Sequence, residues 1–274
     1  MPYVSVVISV HNGETHLEEC IDSILDQTYQ DFEFIVLNNG STDRTPEILQ
    51  QYATPRLRVI HQENIGIARS LNKGINLSQG NLIARLDADD LSLPHRLERQ
   101  VEFMRQNPDV VLCGSRSREL IGNKSFSQKV PYIEKDEAVR KILSCLNPFM
   151  HSTTMFRKKT FLETGGYSDR FKYSQDYDLW VRMLKLGQAY ILKDELSVVR
   201  LIEHSFSNQH NRAQKLEGLL IRWNAFREFG GDPVKTLIYS LKSLIGLISP
   251  LSSIRQRNLF GDREESWDNR AKAK

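Results

Sequence analysis

The chain offers little sulfur chemistry. Its 274 residues include three cysteines, Cys20, Cys113 and Cys145. The number is odd and there is no CxxC or Cys/His spacing, which excludes a disulfide scaffold and a cysteine-ligated zinc site. Each cysteine sits in an apolar context and reads as a reduced core residue of a cytosolic protein. No apolar run reaches the roughly 18 residues of a membrane span, and the opening MPYVSVVISV has no basic leader, so neither export nor spanning is expected. No GxGxxG turn follows a strand, which argues against a dinucleotide-dependent oxidoreductase. With 40% apolar and 26% charged residues, the composition is neither disordered nor fibrous. The length suits one large α/β domain or a domain with an appendage.

Charge is present but unevenly placed. Residues 1 to 100 carry 8 Lys+Arg against 14 Asp+Glu, giving −6, and the remainder carries 29 against 20, giving +9. A basic second half calls for an anionic partner, and nucleic acid, a membrane surface or a phosphorylated substrate would each satisfy it.

Strand and helix signals alternate. Tyr3 to Val10 is a β-branched run ending at His11-Asn12-Gly13, the mark of a buried parallel strand and its turn. Leu17, Ile21, Ile24 and Leu25 then recur at helical spacing behind Glu14, Glu18 and Glu19. The pattern repeats as strand Glu33 to Leu37, helix Thr45 to Tyr52, strand Leu57 to His61, helix Ile67 to Leu77 and strand Asn81 to Leu86. Four βα units predict a doubly wound, mostly parallel sheet with helices on both faces. Ligands of such sheets sit beyond the carboxyl ends of the strands. The loops there are Ser9-Val10-His11-Asn12, Asn38-Asn39-Gly40-Ser41-Thr42-Asp43 and Asp87-Ala88-Asp89-Asp90. In the second, Thr42 or Asp43 is placed to cap the following helix.

The acidic loop asks for a counter-charge. Asp90 alone is explained as a cap for a helix over Leu91 to Met104 with Pro94 in its first turn. The other carboxylates repel one another unless a cation neutralises them. An oxygen-ligand site with open positions suits magnesium or manganese held jointly with a phosphate.

Four ordered stretches, VSVVISVHNGETHLEECIDSILDQT, NNGSTDRT, NIGIARSLNKGINLSQGNLIARLDADD and GGYSDRFKYSQDYDLWVRM, resemble the successive motifs of the family 2 inverting glycosyltransferases of the GT-A fold over about residues 3 to 200. The resemblance implies transfer of a sugar from a nucleotide diphosphate, UDP first among the candidates, to an acceptor hydroxyl. It implies Mn2+ or Mg2+ on Asp87 and Asp89, with Asp89 the direct ligand and Asp90 capping or meeting the sugar. Asp176 falls at the position of the general base. Ser9, His11, Asn12, Asn38, Asn39, Arg69, Asp87 and Ala88 fall around the donor nucleotide, with Asn72 nearby. His151 stands where it would meet metal or diphosphate, and Gln175 and Trp180 flank the base. The partners implied are a nucleotide sugar and a glycan or lipid-linked glycan, not nucleic acid.

The match has departures. Gln175 replaces the usual Glu before the base, removing a negative neighbour. Asn38-Asn39 replaces two aspartates, although an amide carbonyl still accepts a hydrogen bond from uracil. Ser-Val-His-Asn replaces Pro-x-Tyr-Asn. These changes leave open a catalytically silent scaffold that binds a nucleotide sugar or a partner glycosyltransferase. A nucleotidyltransferase fits less well, because SVHNGETH has one glycine and no Lys or Arg.

The expected organisation is a GT-A domain over 1–203, with a donor half to about 114 and an acceptor half beyond it. A C-terminal helical appendage follows over 204–260, then a disordered tail over 261–274. Gly165-Gly166 is expected to turn at positive φ. Leu216, Leu219, Leu220, Trp223 and Phe226 form an apolar helical face, and an apolar stretch follows. With Lys235, Arg255 and Arg257, residues 236–257 read either as a membrane-surface segment or as a face docked on the domain or on a second copy in a homodimer. A cytoplasmic enzyme, peripheral on the inner face of a membrane, is the resulting expectation.

Overall fold

The computed structural model describes residues 2–52, 54–122, 124–127, 133–202, 211–248 and 265–266. The expected tail and the last part of the appendage lie mostly outside these residues. Strands β1 (Val4–Val10), β2 (Phe32–Asn39), β3 (Leu57–Gln62) and β4 (Leu82–Arg85) alternate with helices α1 (Leu17–Leu25), α2 (Thr45–Gln51) and α3 (Ile67–Leu77). All pairings among these strands are parallel, in the order β4-β1-β2-β3. That is the outcome the apolar strand runs and short connections required. The side chains of β1 and β2 are almost wholly buried because helices cover both faces.

The second half turns the sheet mixed. After β5 (Leu91–Ser92) and α4 (Arg96–Gln106), the long β6 (Val110–Ile121) is followed by β7 (Lys124–Ser127), α5 (Asp136–Leu143), a 3₁₀ turn at His151–Thr153, and β8 (Met155–Arg157). Then come α6 (Lys158–Glu163), α7 (Gln175–Met183) and β9 (Gln188–Arg200). β8 inserts antiparallel between β4 and β6, while β9 runs parallel to β6 and antiparallel to β5. A short β10 (Glu265–Ser266) pairs with β7. The whole is an α/β fold with a mostly parallel, curled sheet and a C-terminal helical region formed by α8 (Asn211–Phe229) and α9 (Pro233–Ile248).

Two local expectations are corrected. The helix expected from Leu91 begins at Arg96, because Leu91 and Ser92 pair with Val198 and Ser197 of β9. The Asp90 carboxylate consequently caps nothing; it accepts a hydrogen bond from the Arg200 amide at 2.8 Å. In α8 the buried side is Ile221, Arg222 and Ala225, whereas Leu216, Leu220 and Trp223 are exposed. The three cysteines are free and buried, and Gly165 and Gly166 take φ of 81° and 74°.

Candidate active site

The loops at the carboxyl ends of β1 and β2 are stitched to each other. Asn12, at φ 55°, accepts at Oδ1 from the Thr42 amide (2.8 Å), while its own amide donates to Ser41 Oγ (3.0 Å). Asp43 receives the amides of Glu14 and Thr45 and so ties both loops to the start of α2. The cap position itself is Arg44, whose side chain makes no capping bond, so neither Thr42 nor Asp43 is the expected cap. A side chain at Gly40 (φ 74°) would lie 2.6 Å from the Asn64 amide nitrogen, so only glycine fits this turn.

Asn38 and Asn39 are both buried, and protein groups engage them. Asn38 Oδ1 accepts from the Ser41 amide and its Nδ2 faces His61 Nδ1 at 3.1 Å. Asn39 Oδ1 accepts from Gln62 Nε2 and the Ile65 amide. Ser9 Oγ donates to Ser70. His11, exposed at the mouth, reaches the Asn39 carbonyl through Nδ1. Arg69 is exposed and pairs with Asp169 at 2.8 Å, beside the Gly-Gly-Tyr turn. Asn72 holds that turn through both backbone groups of Tyr167.

The acidic loop stands on buried arginines. Arg85, fully buried at the end of β4, donates to Asp87 Oδ1 at 2.5 Å and to the Val7 carbonyl. Arg96, also fully buried, donates to the Arg85 and Thr154 carbonyls, and burial followed by the nearby Arg85 lowers its pKa to about 9. Ser152 donates to Asp87 Oδ2 and accepts from the Asp87 amide. Burial would raise Asp87, but Arg85 and Ser152 outweigh it and hold the carboxyl below its ordinary value. Asp89 is pushed up to about 6 by burial and by Asp87, which outweigh the more weakly acting Arg85 and Arg200. Asp90, deeper still, is raised by burial and both neighbours. Burial therefore disfavours ionisation of Asp89 and Asp90, and a cation bound at this loop would favour their charged forms.

Asp176 lies in the first turn of α7, where its Oδ2 accepts from Asn147 Nδ2 at 2.9 Å. Burial first, and the charge of Asp87 as well, raise it to about 6. His151 contacts Asp87 Oδ1 through Nδ1 at 3.9 Å and the Tyr167 hydroxyl through Nε2 at 2.8 Å. Burial and Arg85 depress its pKa to about 3, so it meets Asp87 as a neutral dipole. Trp180 is fully buried against His151, Phe149 and Phe156, and Gln175 is buried beside Asp176.

Among the described residues no three His, Cys, Asp or Glu side chains form a ready metal cage. The donor set nevertheless fits a hard cation shared with a diphosphate. Asp87 and Asp89 offer carboxylate oxygens two residues apart, and no other described residue hydrogen-bonds the Asp89 carboxylate.

The sequence matches the family model "Glycosyl transferase family 2" over residues 5–166, more than half of the chain. The chain belongs to glycosyltransferase family 2. Among relatives, the O-antigen biosynthesis glycosyltransferase WbnJ of Escherichia coli is 39% identical over 66% of this chain and 71% of that protein. The amylovoran biosynthesis glycosyltransferase AmsE of Erwinia amylovora is 33% identical over 72% and 75%. A Staphylococcus aureus TarS structure in complex with UDP superimposes at a TM-score of 0.67 and 17% identity, covering 94% of this chain and 74% of that one. A Pyrobaculum calidifontis mannosyltransferase with GDP-Man and Mn2+ does so at 0.63 and 19%, covering 90% and 70%. These structural likenesses establish a GT-A fold.

Four residues of this candidate site were not singled out from the sequence as site residues. Ser152, Asn147 and Tyr167 support it through hydrogen bonds that no local pattern reveals. Arg85 left one trace, a charge inside the apolar run LIARL.

Proposed function

We propose that this glycosyltransferase moves a glycosyl group from a UDP-sugar to a hydroxyl of a cell-surface glycan, with inversion at the anomeric carbon. Asp176 is the general base. It takes the acceptor proton as the acceptor oxygen bonds to the anomeric carbon and the bond from that carbon to the diphosphate oxygen breaks, releasing UDP. A divalent cation on Asp87 and Asp89 would supply Lewis-acid stabilisation of the departing diphosphate. Arg85 and Ser152 hold Asp87 ionised and oriented. Asn147 aims the Asp176 carboxylate, and neutral His151 lies against Asp87 without adding charge. The exposed loop of His11 and Asn12 meets the base and ribose, while Asn38 and Asn39 shape the floor behind it.

The observation that carries this reading is the Asp176 carboxyl, oriented by Asn147 and raised to about 6, close enough to Asp87 of the acidic loop to feel its charge: a proton acceptor matched to neutral pH next to a carboxylate-bearing strand end. The names of WbnJ and AmsE favour a polysaccharide acceptor. UDP in the TarS complex favours that nucleotide, although GDP-Man in the mannosyltransferase keeps GDP in the test. The experiment is calorimetric titration with UDP, GDP and dTDP, with and without Mn2+, on wild type and Asp89→Asn. Metal-dependent binding of UDP that the variant loses is expected, and the anomeric configuration of the product, read by NMR, should be inverted. Failure of every nucleotide to bind with Mn2+ present would leave the silent scaffold as the better account.

A further inference from the structure

Helix α9 is amphipathic in the reverse of the usual sense. Its small hydroxyl residues face the protein. Thr236 and Ser240 are buried, Thr236 Oγ1 meets Ser144 Oγ at 3.1 Å, and Arg222 of α8 donates to Ser243 Oγ at 2.5 Å. Its aliphatic residues face outward: Val234, Leu237, Ile238, Leu241, Leu244 and Ile245 are 40–63% exposed. These positions recur at three- and four-residue spacing and form one stripe along the helix. The hydrogen bonds fix the rotation of α9, so the stripe is held outward rather than left there by loose packing. A contiguous exposed stripe of this kind marks an interaction surface.

We propose that α9 docks the chain on the surface of an anionic lipid bilayer. The charge pattern selects this occupant over a second copy. From Pro233 to Gly261 the chain has no Asp or Glu, and it carries Lys235, Lys242, Arg255 and Arg257. Lys235 also lies 3.8 Å from Asp232 at the start of the helix, so the net charge of the stretch rests mainly on the other three. Pairing two copies through this face would bring like charges together, whereas anionic headgroups neutralise them. Lys235 and Lys242 lie seven residues apart on one edge of the stripe, and Lys242 Nζ sits 5.2 Å from the centre of the Tyr239 ring. That places cation and aromatic where headgroups meet acyl chains. No described helix is long and apolar enough to cross a membrane, so α9 lies in the interface plane. The docked layer is bolted to the catalytic domain: Glu217 of α8 accepts the Lys172 and Tyr173 amides, just before α7.

The docking requires no donor or metal, so its test is separate from that of the reaction. The full chain is sedimented with vesicles of phosphatidylglycerol and phosphatidylcholine, and with vesicles of phosphatidylcholine alone. Binding is expected only to the anionic vesicles, weakening with salt. Lys235→Gln/Lys242→Gln should weaken it by between about fivefold and about 25-fold, at about fivefold per unpaired charge, because Lys235 also pairs with Asp232. Leu237→Asn/Leu241→Asn should abolish it while nucleotide binding and the circular dichroism spectrum stay as in wild type. Equal or absent binding to both vesicles would overturn the proposal. So would a wild-type dimer by light scattering that Leu237→Asn/Leu241→Asn converts to monomer.

Discussion

Replacing Asp176 with Asn should make the protein more stable and nearly inactive, and both effects come from the same carboxyl. Its pKa stands at about 6 against an ordinary 3.8. The folded state thus prefers the neutral acid, and ionisation costs stability above pH 6. Two pKa units correspond to at most ~3 kcal/mol; Asp176 is half-buried, and solvent screening brings this to ~1–2 kcal/mol. Asp176→Asn keeps an oxygen for Asn147 Nδ2 and removes that cost. Its melting temperature should therefore exceed that of wild type at pH 8, with the gain fading through pH 6 and absent by pH 4. Activity moves the other way. A missing general base costs ~10²- to 10⁴-fold in kcat. In the wild type the ionised fraction falls from about 97% at pH 7.5 to about 9% at pH 5, so kcat/KM should drop about tenfold per unit below 6. The assays are donor-dependent product release from pH 5 to 8.5 and thermal melts from pH 4 to 8.5 in chelator. A variant within tenfold of wild-type kcat at pH 7.5, or a wild-type profile flat through pH 6, would refute the role. A variant less stable than wild type at pH 8 would refute the electrostatics.

Arg85→Met should leave Asp87 without its buried partner, costing roughly 3–5 kcal/mol in chemical denaturation, and double substitution with Asp87→Asn should restore part of that. Gly40→Ala, at φ 74° and 2.6 Å from the Asn64 nitrogen, should cost about 1–3 kcal/mol and lower nucleotide affinity by calorimetry, since this turn joins the first two loops. Asn72→Ala removes both bonds to Tyr167 and should cost about 2 kcal/mol, with a loss in kcat that Asn72→Asp, which keeps one acceptor, only partly repairs.

The parallel half was legible because its signals are local: β-branched runs, helical spacing and turn residues set β1 through β4, and α3 begins and ends at the expected Ile67 and Leu77. The acidic loop was legible as chemistry because carboxylates cannot be crowded without compensation. What the sequence hid were partners far along the chain. Asp90 looked like a cap because its true partner, the Arg200 amide, is 110 residues away, and Leu91-Ser92 looked helical until β9 claimed them as a strand. The outward turn of Leu216, Leu220 and Trp223 was hidden too. Hydrophobic periodicity shows that a helix has an apolar face but not that the protein packs against the other side.

The seam between Asp90 and Arg200 bears on how such a chain comes into being. As the polypeptide leaves the ribosome, β1 to β4 can pair early and Arg85 can hold Asp87, but Asp87 gains Ser152 only later and Asp90 gains its Arg200 partner only when the end of β9 has emerged. The same strand supplies the cover for β5 and the Arg200 side chain that pairs with Glu19. A fragment ending near residue 114 would therefore keep its parallel strands and lose its acid geometry. The two halves are not interchangeable cassettes, and swapping second halves between relatives should fail unless β9 and the acidic loop travel together.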